Sequence, residues 1–122
     1  MYARAAKVYR QVDLESASKS QVLDRLYLRF LRDCDDALDA MESKNMAAKV
    51  AAINHGHQII MELVAALDHS LAPELCGNLA ALYDYVMDRL VQANMKNEGH
   101  LLVQAKSVII ELREAFLEAD KK

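Results

Sequence analysis

Four stretches of this chain carry large apolar residues three and four positions apart, and only a few residues separate one stretch from the next. The first stripe is Val22, Leu23, Leu26, Tyr27, Phe30, Cys34, Ala37, Leu38 and Met41, in a helix expected from Ser18 to about Ser43. The second is Met46, Val50, Ile53, His57, Ile60, Leu63, Val64 and Leu67, in a helix from Met46 to about His69. The third is Leu79, Leu82, Tyr83, Val86 and Leu90, between about Pro73 and Met95. The fourth is Leu101, Leu102, Ala105, Val108, Ile109, Leu112 and Phe116, ending near Ala119. Steps of three and four put each set on one side of an α-helix. Helices of about 24 residues are roughly 35 Å long at 1.5 Å per residue. Links this short force neighbours to run antiparallel. The expected fold is therefore all-α: an antiparallel up-down four-helix bundle over residues 18–122, preceded by an N-terminal arm over residues 1–17.

The helix ends carry their own signals. Ser18 and Gln21 read as a capping box, in which hydroxyl and amide each satisfy an orphan backbone donor. Asn45 reads as the N-cap of the second helix, Pro73 as a first-turn residue of the third, and Asn97 as the cap of the fourth. Gly56, inside the second helix, costs about 1 kcal/mol relative to Ala and suggests a close approach of another helix.

Composition agrees with a helical chain. There are three Gly and one Pro, and β-branched residues are few beside Ala, Leu and Met. A length of 122 residues fits one domain with a real core. A net charge of -3 without a basic block argues against nucleic acid as a partner. No apolar run approaches the roughly 18 residues of a membrane span, so no membrane insertion is expected. The start of the chain is basic but has no apolar core behind it, which is not a signal peptide and points to the cytoplasm. Cys34 and Cys76 lie far apart without a Cys-x-x-Cys, as two reduced, mostly buried thiols would.

Reactive chemistry is missing. There is no Glu-x-x-His, and the apolar stripes carry almost no acid, so a di-iron bundle is not indicated. His55 and His57 point to diverging sides of one helix and cannot share a metal from one face. Asp24, Asp35, Asp36 and Asp39, mixed with Arg25, Arg29 and Arg32, read as a solvated face. No phosphate loop and no nucleophile elbow occur. The chain reads as no enzyme, with no cofactor and no metal.

What the bundle leaves over is apolar surface. Tyr83 and Tyr85 lie about 200° apart on a helix, so one core seam cannot take both, and the sequence leaves open which is exposed. Leu28, Leu31, Ile59, Met61, Met87 and Val91 also fall beside or off the stripes. A four-helix bundle needs only about three apolar positions in seven. The excess reads as well as a partner groove as it does as a wider core or a homodimer face.

The wording of the third helix is more specific than its period. Asn78-Leu79-x-x-Leu82-Tyr83-Asp84-Tyr85-x-x-x-Arg89-Leu90-x-x-Ala93-Asn94 resembles the signature helix of the flagellin-specific export chaperones, the FliS family. Tyr9-Arg10-Gln11-Val12, followed by Glu15-Ser16-Ala17-Ser18, resembles the family's N-terminal segment. The resemblance continues along the four-helix pattern. It departs at Lys19, where many members have Pro, and at Leu28-Arg29, where many have Asp-Gly after Leu-Tyr. It implies a cytoplasmic chaperone that binds the C-terminal segment of flagellin, prevents its premature polymerisation and delivers it to the flagellar type III export apparatus. The implied partners are that segment and a component of the export gate, with the chaperone itself a monomer or weak homodimer. The implied groove residues are Tyr27, Tyr83, Tyr85, Val86 and Leu90, with Arg89 and Asn94 orienting polar groups. Tyr9, Val12 and Leu14 are the arm residues that the resemblance lays over the groove when flagellin is absent. The alternative is a histidine phosphotransfer domain using His55, with Gly56 as the small neighbour; the Lys and small residue usual in the next turn are missing, since Gln58, Ile59 and Ile60 follow.

Overall fold

A computed structural model describes residues 17–120, with side chains described within 21–119. The expected arm, with Tyr9, Val12 and Leu14, lies outside the described residues up to Ser16. The described chain forms α1 (Ala17–Glu42), α2 (Met46–Ala65), α3 (Pro73–Lys96) and α4 (Gly99–Asp120). α1 packs on α2 and α4, α3 packs on the same two, and the backbones on both diagonals stay apart. Sequence neighbours are thus spatial neighbours around a square, the up-down bundle that the short links require.

The corners are built from local rules. At the first, Asn45 N donates to Ala40 O (2.8 Å) and Lys44 N to Met41 O (3.2 Å), with Lys44 left-handed at φ 61°. This is a Schellman closure. Asn45 then caps α2, its Oδ1 accepting from Ala48 N at 3.1 Å, as its place before the apolar period predicts. Pro73 opens α3, where its missing N–H costs nothing. Two ends differ from expectation. α1 already includes Ala17 and Ser18, so Ser18 does not stand at the N-cap. α2 stops at Ala65 rather than near His69, because Asp68 takes Ser70 N and Oγ into a side-chain turn that competes with the helix.

The core is contributed by all four helices: Tyr27, Phe30 and Cys34; Ile53, Ile60 and Leu63; Leu79, Tyr83, Val86 and Leu90; Leu102, Ile109 and Leu112. Each large side chain so buried contributes about 1.5–3 kcal/mol. Two glycines mark close approaches. A Cβ on Gly56 would stand 3.4 Å from a Phe30 ring carbon, and one on Gly99 would stand 2.9 Å from Leu38 Cδ2.

The burial of α2 departs from its predicted stripe. Met46 and Val50 are exposed and His57 is half-buried, while Ile59 and Lys49 are buried. Val22 of α1 is exposed as well. The helix is turned so that Gly56 and Ile59 reach α1, which moves Val50 away from the centre. Lys49 is 1% exposed. Its Nζ donates to Asn94 O and Asn97 Oδ1, each at 3.2 Å. A buried ammonium is held there because it meets a free carbonyl at the negative end of α3. Asn97 does not cap α4. It closes α3 in the left-handed region, φ 55°.

Candidate partner-binding groove

The residues expected in one groove divide into three places. Tyr27, Tyr83, Val86 and Leu90 are buried in the core and present no surface. Tyr27 Oη and Tyr83 Oη lie 2.8 Å apart, and the Tyr27 ring meets Phe116 at 5.8 Å between centroids. Tyr85 and Arg89 lie on the outer side of α3. Tyr85 is 41% exposed, and the Arg89 guanidinium stands 5.4 Å from its ring centroid. Arg89 also donates to Asp88 (2.5 Å) and to Gln104 Oε1 of α4 (3.3 Å), while its Nε is buried without a hydrogen-bond partner among the described residues. The Arg89 hydrogen bond holds the Asp88 carboxyl below its ordinary value and raises the guanidinium further. Asn94 sits at the far end of α3, half-buried, with its carbonyl on Lys49. Tyr9, Val12 and Leu14 lie outside the described residues.

Five exposed apolar side chains, Met46, Val50, Met61, Val91 and Met95, lie on α2 and α3. Leu26, Arg29, His55, Gln58, Ile59 and Glu62 line a notch between α1 and α2, so the Ile59 side of α2 borders α1. At about 100° per residue, Val50 and Met61 lie on the opposite side, which borders α3. On α3, Arg89 reaches α4, and Met87 and Val91 lie about 160–200° away from it, toward α2. The Lys49–Asn94 bond sets the level of one helix against the other. With the helices antiparallel, Met46 falls close to the level of Met95 along the bundle axis, Val50 to that of Val91, and Met61 lies beyond Met87. Relative exposures are 54% for Met46, 38% for Val50, 55% for Met61, 43% for Val91 and 74% for Met95, with Met87 half-buried. From Met46 to Met61 the strip runs about 22 Å at 1.5 Å per residue.

Such a strip suits an apolar helix face of a partner. Methionine side chains are unbranched and polarisable, so they adapt to different shapes. The seam between α1 and α4 is different in kind. Leu28, Ile110 and Leu117 are exposed there, but ion pairs bridge it, Arg113 Nε to Asp24 (2.7 Å) and Lys106 Nζ to Asp35 (2.5 Å). Met61, Met87 and Val91 are among the residues that the sequence leaves over as surplus apolar surface. Met46 and Val50 are exposed although their spacing places them in the core stripe, and Met95 belongs to no stripe. The exposed signal was the choice of Met where Leu or Ile fills the core.

His55 does not stand free. Its Nδ1 is 2.5 Å from Asp33 Oδ2, a carboxylate buried between α1 and α2. Gly56 is buried against Phe30 and Asp33, so it serves helix packing and does not open the surface around His55. Among the described residues no group of three or more His, Cys, Asp or Glu is arranged to hold a metal ion.

Comparison with known proteins gives one answer along the whole chain. A family model described as "Flagellar protein FliS" matches residues 1–122. The flagellar secretion chaperone FliSB of Pseudomonas aeruginosa is 34% identical over 121 residues, covering 95% of this chain and 96% of the relative. The flagellar secretion chaperone FliS of Bacillus subtilis is 31% identical, over 91% of this chain and 82% of its own length. That of Salmonella typhimurium is 30% identical, over 98% and 93%.

Proposed function

Because this chain belongs to the FliS family of flagellar secretion chaperones, we propose that it holds the C-terminal segment of flagellin in the cytoplasm, prevents premature polymerisation and hands the segment to the flagellar type III export apparatus. The family is one of chaperones, and the protein is not an enzyme. No helix among the described residues is long and apolar enough to cross a membrane. The observation that carries the reading is the strip of Met46, Val50, Met61, Met87, Val91 and Met95 between α2 and α3. An amphipathic helix lays its apolar face into such a groove through contacts at i, i+3, i+4 and i+7. A disordered client loses chain entropy when it orders on the bundle, so a large contact surface is compatible with release. The protein acts as a monomer or weak homodimer, and the export gate receives the complex.

Calorimetry tests this. A peptide of about forty residues from the flagellin C-terminus is long enough to follow helices of roughly 35 Å. Saturable binding with a large negative heat-capacity change, the mark of buried apolar surface, is the expected result. No binding, also after removal of Met1 to Leu14, would leave the client elsewhere among the export substrates.

A further inference from the structure

We propose that the groove methionines form a modification site. Among the described residues, Met46, Met61 and Met95 are the side chains that a peroxide oxidises first, and their sulfoxides weaken the hold on the client. The second half rests on the α2–α3 groove being the client site.

Three methionines of this strip are exposed, at 54, 55 and 74% of the residue surface. Met41 and Met87 are half-buried, packed against the core. The usual competitors are withdrawn. Cys34 is 1% exposed, and burial pushes its thiol up to about 12. Cys76 is fully buried, its thiol also raised by burial, with Sγ at 3.4 Å from Asp68 O. Thiol oxidation runs through the thiolate, which burial disfavours at both cysteines. A thioether needs no deprotonation, so access alone sets the order.

The step balances with hydrogen peroxide as oxidant. A sulfur lone pair attacks one peroxide oxygen, the S–O bond forms and the O–O bond breaks. Sulfur loses two electrons to the peroxide, and the departing hydroxide takes the proton of the transferred oxygen and leaves as water. The product is a polar, chiral sulfoxide in place of a flexible apolar chain. In the unliganded groove its oxygen faces water. Under an apolar helix face it has no partner, and that difference disfavours the bound state. Methionine sulfoxide reductases reverse the change.

The test exposes the folded protein to limiting hydrogen peroxide, maps oxidised residues by peptide mass spectrometry, and titrates the flagellin C-terminal peptide before and after. Met95, Met61 and Met46 should convert ahead of Met41, Met87 and both cysteines, and bound peptide should protect them. Affinity should fall about tenfold or more per sulfoxide placed in contact, the effect of one unsatisfied polar group, and return after enzymatic reduction. Thermal melting, followed in parallel, should hold nearly constant. In the variant Met46→Leu, Met61→Leu, Met95→Leu, whatever its starting affinity, peroxide should leave the affinity unchanged. Earlier oxidation at another described residue, or unchanged affinity after complete conversion of the three, overturns the proposal. A protein that binds no peptide before peroxide overturns the client reading and the release step with it. The order of oxidation is read by mass spectrometry in either case.

Discussion

Tyr27 Oη and Tyr83 Oη meet at 2.8 Å in the centre of the bundle, joining α1 to α3 across a diagonal on which the backbones do not touch. Both side chains are fully buried. A polar contact there constrains how the two helix pairs close on each other, since hydroxyls taken out of water need partners. Removing either hydroxyl by Tyr27→Phe or Tyr83→Phe should cost about 1–2 kcal/mol, and the double variant should fall short of their sum by at least about 0.5 kcal/mol. Urea denaturation of the four proteins checks this. Strict additivity would mean that the pair does not interact.

Leu90 is fully enclosed by the other helices. Leu90→Ala should lower stability by about 2–5 kcal/mol, the transfer term plus the cavity left behind. An unchanged thermal melt would place Leu90 at the surface.

Two residues share a left-handed backbone but not a fate on substitution by glycine. Lys44 (φ 61°) is exposed, so Lys44→Gly should raise stability by about 1 kcal/mol through relief of the Cβ clash. Asn97 (φ 55°) accepts from the buried Lys49 ammonium, so Asn97→Gly should instead lower stability by about 1–3 kcal/mol. Chemical denaturation of both variants reads the signs directly. Equal gains would show that the Lys49 bond contributes little.

The groove and the outer face of α3 separate by mutation. Met61→Asp and Val91→Asp should stay within about 0.5 kcal/mol of the parent in stability, because both side chains already meet water. Their binding to the flagellin peptide should weaken sharply. Tyr85→Ala should leave that binding close to the parent's. The reverse pattern would move the client to the Tyr85–Arg89 face.

Deleting Met1 to Leu14 should strengthen flagellin binding, if Tyr9, Val12 and Leu14 compete with the client for the groove. Calorimetry on the shortened chain decides. Weaker binding would make the arm part of the client site.

The amino-acid sequence by itself determined the features that arise within a few residues of each other. The four apolar periods set the helices, Asn45 and Pro73 set two of their starts, and the short links set the antiparallel order. The wording around Leu82-Tyr83-Asp84-Tyr85 was sufficient to indicate the family, since a bare apolar period would not require those residue types. The tertiary structure decided how each helix is turned about its own axis. Tyr83 rather than Tyr85 went inside because Tyr27, 56 positions earlier, waits across the core. Lys49 is buried because Asn94 and Asn97 offer oxygens from a different helix end. Val50 and Met61 were left at the groove because Gly56 lets α2 close on Phe30 and Asp33, turning Ile59 toward α1. Helical period fixes which residues share a side of one helix. Which side is covered depends on partners distant in sequence, and local periodicity carries no information about them.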